Sequence, residues 1–136
     1  MAFGIGVANY AKRTGLSLDK AVVSICIQAT TSIIKRSPVD TGRFRGNWFT
    51  SIDSFSNETS ETRTENEALA EGIKDAQNAS GHIFTLSNNL DYAMTLEYGL
   101  FPWANSEKVV NHFSTQAPSG FLRLTKLELE NKLRKM

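Results

Sequence analysis

Residues 17–48 read SLDKAVVSICIQATTSIIKRSPVDTGRFRGNW, and they set the architecture. Leu18, Val22, Ile25, Ala29 and Ile33 form one apolar stripe at helical spacing, and Val23, Ile27 and Ile34 form a second. Ser17 is placed to cap the helix, with Asp19 in the first turn near the positive end of its dipole. Lys35 and Arg36 suit the last turn. Pro38 forbids continuation and biases Ser37 to extended geometry. The stretch therefore predicts a long helix over 17–36, covered on more than one side. A structured loop, 38–46, follows. In it Pro38, Asp40, Thr41 and Gly42 form a capped turn, with Gly42 able to take a positive φ.

Working outward, Val7 to Lys12 predict a short preceding helix ending at Gly15. A strand is expected over 47–55, with Trp48, Thr50 and Ile52 on one face and Phe49, Ser51 and Phe55 on the other. Residues 56–66 are polar and aperiodic and read as a mobile loop. Thr64 with Glu67 is a capping-box pattern that starts a helix through Ala68, Leu69, Ile73 and Ala76. A second strand is expected over 82–87, then a turn at Asn88-Asn89. Asp91 caps a short helix over 92–98, closed by Gly99. Residues 100–117 form a long insertion carrying Phe101, Trp103, Val109, Val110 and Phe113, read as an interaction arm or hairpin. Pro118 precedes a final helix bearing Leu122, Leu124, Leu127, Leu129 and Leu133. The fold class is α+β. A small, mostly antiparallel sheet packs on the long N-terminal helix and the C-terminal helix.

Composition narrows the function. The chain has 136 residues, enough for one domain that buries roughly two thirds of its unfolded surface. A net charge of +1 gives no global attraction to nucleic acid or anionic membrane. No run of 18 apolar residues predicts a membrane span, and the opening MAFGIG lacks a signal-peptide pattern. The single cysteine, Cys26, excludes an internal disulfide and reads as a core thiol. His82 and His112 stand 30 residues apart without a Cys/His cluster, so no metal is assigned. Asp40-Thr41-Gly42 occurs once, whereas an aspartic protease needs two carboxylates sharing a proton. No catalytic residue and no cofactor is assigned, and the chain reads as a non-enzyme.

Three stretches belong together: SPVDTGRFRGNW at 37–48, NNLDYAMTLEYG at 88–99 and QAPSGFLRLT at 116–125. In this order they resemble the tail-completion or neck proteins at the head-to-tail joint of tailed bacteriophages. The insertion at 100–115 departs from that pattern. The resemblance implies a virion structural subunit that forms a homo-oligomeric ring, with a hexamer favoured and a dodecamer possible. Other neck and tail proteins would be its partners, and DNA would only pass through the lumen. Arg43, Arg45, Glu97, Trp103 and Phe113 are the candidate interface residues. Lys35, Arg36, Arg43 and Arg45 read as helix-end charge on a solvated surface, with an inter-subunit ion-pair set for Glu58, Glu61, Glu65 and Glu67, or DNA contact in a channel, as the alternatives. Glu97 is expected to meet Arg43 or Arg45. The alternatives are a small phage-encoded hydrolase and a nucleic-acid-binding accessory factor.

Overall fold

A computed structural model describes residues 3–39, 43–99, 109–110, 113–114 and 120–134. Asp40, Thr41, Gly42, Trp103 and Pro118 lie outside the described residues, as does the side chain of Phe113. The fold is α+β, in the order α1 (Phe3–Thr14), α2 (Leu18–Arg36), α3 (Arg43–Gly46), β1 (Trp48–Ile52), α4 (Glu65–Ala76), β2 (Phe84–Asn88), α5 (Ala93–Tyr98), β3 (Val109–Val110), β4 (Phe113–Ser114) and α6 (Leu122–Arg134).

Two of the three predicted N-caps hold; at α5 Asp91 makes no capping bond among the described residues, and Ala93 N donates to Leu90 O instead. Ser17 Oγ accepts from Lys20 N at the start of α2, and Thr64 Oγ1 accepts from Glu67 N at the start of α4. Gly15 ends α1 at φ +73°, with Leu16 N donating to Ala11 O. The helices sort into two clusters. Val7, Ala11, Ala21, Ile25 and Leu133 join α1, α2 and α6. Ile33, Ile34, Phe44, Trp48, Ala68, Leu90, Leu96 and Phe121 join the other end of α2 to the ribbon, α4, α5 and α6. The first stripe of α2 thus runs from one cluster to the other, Ile25 in the first and Ile33 in the second; of the second stripe only Ile34 is buried, and Leu18 at the start is exposed.

β1 and β2 pair antiparallel as a two-stranded ribbon, Trp48 opposite Asn88 and Ile52 opposite Phe84. Both strands are shifted from the expected ranges. Asp53 takes φ 57° and its carboxylate accepts from Ile83 N, which ends β1 and leaves Phe55 outside the strand. Within the insertion the described residues pair antiparallel, Val109 opposite Ser114 and Val110 opposite Phe113, with β4 running beside α5.

The polar segment 56–66, read from the sequence as a loop, is bonded to the rest of the fold at several points. Asn47 is fully buried and brackets Ser60, its Nδ2 donating to Ser60 O at 2.8 Å and its Oδ1 accepting from Ser60 N at 2.8 Å. Asn89 Nδ2 donates to Ser56 O and Glu58 O. Arg63 Nη1 donates to Gly46 O and Trp48 O, and its guanidinium lies 4.1 Å from the centre of the Phe49 ring. A polar segment is held here by backbone bonds and one buried arginine. This is why Phe49, on the expected outer face, is as buried as Trp48.

Gly72, in the interior of α4 where glycine costs helix propensity, has a packing reason. A Cβ there would sit 2.5 Å from Thr30 Cγ2, and Thr30 is fully buried on α2. Alanine gains about 1 kcal/mol of helix propensity but overpacks the α2–α4 contact by about 1–3 kcal/mol. Gly72→Ala is therefore expected to lower the melting temperature, and Thr30→Ser in the same chain to recover most of the loss. A Gly72→Ala protein that melts higher than wild type would show that α2 and α4 do not touch this closely.

Candidate functional site

The three stretches singled out in the sequence converge on one junction. From the first, Ser37 closes α2: its N–H donates to Ile33 O, and its Oγ donates to Ile33 O at 2.6 Å and accepts from Trp48 Nε1 at 2.8 Å. Arg45 Nε donates to Ser37 O and Nη2 to Lys35 O, so the guanidinium covers the negative end of α2. Phe44 stands edge-on to Trp48, ring centres 5.9 Å apart, and to Phe121, 5.4 Å apart. Tyr92, from the second stretch, completes the aromatic set at 5.8 Å from Phe44. Asn88 Nδ2 donates to Phe44 O, and Asn88 Oδ1 accepts from Leu90 N, fixing the predicted turn.

Glu97 is the polar centre of the junction, with a side chain only 2% exposed. Its Oε2 accepts from Phe121 N at 2.7 Å and Leu122 N at 3.0 Å, and its Oε1 from Arg123 N at 3.1 Å and Arg123 Nε at 3.0 Å. Arg123 also donates to Glu97 O at 2.5 Å and lies 5.4 Å from the Tyr98 ring centre. Burial alone would raise the carboxyl pKa. The three backbone N–H groups and the Arg123 guanidinium outweigh it and hold Glu97 below the usual glutamate range. Gly120 makes the close approach possible at φ +81°, because a Cβ there would sit 2.7 Å from Glu97 Oε1 and 2.9 Å from Arg123 Nη2. A further tie comes from Arg36, whose Nη1 donates to Thr125 Oγ1 at 3.1 Å and which pairs with Glu128.

Two expected assignments change. Glu97 does make a structural ion pair, but its partner is Arg123 rather than Arg43 or Arg45, and it is sealed inside the subunit against α6. A carboxylate that close to a helix N-terminus finds more donors there than in one guanidinium. The basic cluster likewise finds its acids within the chain. Arg43 meets Glu61 at 2.6 Å, and Arg45 and Lys35 both meet Glu65, at 2.5 and 2.7 Å. Hydrogen bonds from Lys35 and then Arg45 hold the Glu65 carboxyl below its ordinary range. Asn47, Arg63 and Arg123 are structural anchors that the sequence reading missed. Their partners are backbone atoms brought close only by the fold, which leave no periodic signal.

Elsewhere the chemistry is sparse. Among the described residues no group of three His, Cys, Asp or Glu is arranged to hold a metal ion. His82 Nδ1 lies 2.6 Å from Asp53 Oδ2 at an exposed turn. Desolvation pushes the Cys26 thiol above its usual range, which keeps it protonated and unreactive near neutral pH. No single described helix is long and apolar enough to cross a membrane. No family model, curated protein or solved structure matches the chain.

Proposed function

We propose that this chain is a virion structural subunit of a phage neck or proximal tail, a non-enzyme that closes into a homo-oligomeric ring. The ring completes the tail or joins it to the head connector. It assembles in the host cytoplasm, and its partners are other neck and tail proteins, with DNA only in transit and no membrane. One observation carries this reading. The three stretches that resemble the family are far apart in sequence, and their residues Phe44, Trp48, Leu90, Leu96 and Phe121 meet in a single buried cluster sealed by Glu97. Residues packed in such a set form a framework, and a structural subunit of this size acts by presenting surfaces to neighbours in heterologous, closing contacts. Trp103 and Phe113 are the proposed contacts to a neighbouring subunit.

Light scattering with electron microscopy of the purified protein tests the reading. Closed rings are expected, hexameric by preference or dodecameric. Replacing Trp103 and Phe113 together by Ser is expected to leave a folded subunit that no longer closes. A monomer of 15.1 kDa at high concentration and low salt, unchanged when neck and tail components are added, would overturn it.

A further inference from the structure

We propose that the free edge of β2 pairs with the same edge of a second copy of this chain. The two strands run antiparallel about a two-fold axis through Leu86, turning two ribbons into one four-stranded sheet. The register supplies the geometry. Asp53 N donates to Ile83 O, so the bonded pairs of the ribbon are Ser51 with Thr85 and Phe49 with Ser87. The N–H and C=O groups of Phe84, Leu86 and Asn88 then point away from β1. Among the described residues nothing accepts from or donates to them.

The two edges of the ribbon are treated differently. On β1, Arg63 covers the edge by donating to Trp48 O at 2.5 Å and Gly46 O at 3.1 Å. On β2, the sequence Phe84-Thr85-Leu86-Ser87-Asn88 carries no charge, no proline and no bulge, which are the usual guards of an exposed edge.

The occupant follows from symmetry and charge. The three outward-facing residues are evenly spaced about Leu86, so the edge is complementary to itself: Leu86 meets Leu86 of the copy, and Phe84 meets its Asn88. An uncharged edge meets no like charge in a second copy. Ile83, 70% exposed, continues the strand and would come opposite Asn89 of the copy, covering apolar surface that is otherwise wet.

This inference stands apart from the ring. If rings form, the edge pair joins two of them, and its loss halves the mass. Residue-resolved amide exchange over a dilution series tests it. In the associated state, the Phe84, Leu86 and Asn88 amides are expected to exchange at least about tenfold more slowly than in the dilute monomer. Thr85→Lys, which places a charge beside the axis on the ribbon's outer face, is expected to abolish that protection with the melting temperature unchanged. Leu86 exchange that does not depend on association overturns the proposal, as does a Thr85→Lys protein that associates with Leu86 still protected. If that variant does not fold, the wild-type dilution series still decides. Rings that form while Leu86 exchanges freely would sink this inference and spare the proposed function. Edge pairing without rings would do the reverse.

Discussion

Glu97→Ala is expected to destabilise the protein by about 3 kcal/mol, which at this chain length lowers the melting temperature by roughly 10 °C. The substitution removes one acceptor group and orphans three backbone donors, Phe121 N, Leu122 N and Arg123 N, at the positive end of α6. Arg123 is half exposed and can rehydrate, so the amides carry most of the loss. Glu97→Gln should fall between, since an amide keeps one acceptor but turns an N–H₂ toward donors. The pH dependence has a definite sign. The Glu97 pKa is lower in the folded state than in the unfolded chain, so its contribution is complete above the ordinary glutamate value. It is lost as pH falls through the folded value, in the acid range below the ordinary glutamate value. Glu65 and Glu128 are depressed in the same direction and share the acid transition. The Gln variant should therefore unfold with a shallower acid limb, not lose the limb altogether. Thermal melts of wild type, Ala and Gln forms at neutral and acid pH check this. An Ala variant melting within a degree or two of wild type would mean that α6 starts without Glu97.

The second large effect is expected at Gly46. A Cβ there would overlap the carbonyl oxygen of Arg63 and lie 2.8 Å from its carbonyl carbon. Both atoms belong to backbone, so no rotamer change relieves the clash. Gly46→Ala must push residues 60–64 off the ribbon, and with them go the Asn47–Ser60 bracket, the Arg63 bonds to the β1 edge and the Thr64 cap of α4. A loss of about 3 kcal/mol or more is expected, because several bonds depend on one approach. Proteolysis near 56–64 should become faster at the same time. An alanine variant with wild-type stability and protease resistance would show that the segment is not seated on Gly46.

What the sequence discloses here is local. The α2 stripe, the Ser17 and Thr64 caps and the glycine at the end of α1 are each settled by residues within a turn of one another, and all of them hold. The polar run at 56–63 is the opposite case. Nothing in SNETSETR marks it as fixed, because its order comes from Asn47, Asn89 and Arg63 reaching backbone atoms many residues away. Glu97 shows the same limit in the candidate site. Its setting in the second stretch marks it as structural, but only the fold reveals that its partners are the first amides of α6. The leucines of α6 mislead for a related reason. Leu133 is buried and Leu129 packs beside it, yet Leu122, Leu124 and Leu127 face outward. A one-dimensional count cannot say which side of a helix meets the core.

The placement of α6 has a consequence in time. Its first residues supply Phe121 to one cluster and its last turn supplies Leu133 to the other, while Arg13 on α1 reaches the carbonyls of Lys132 and Leu133. α1 is thus clamped by α6, with Arg13 and Leu133 120 residues apart in the chain. Until residues 121–133 leave the ribosome, α1 and α2 lack their cover, and the Phe44–Trp48 aromatic pair is roofless. That apolar surface therefore stays open from the emergence of α1 until that of α6.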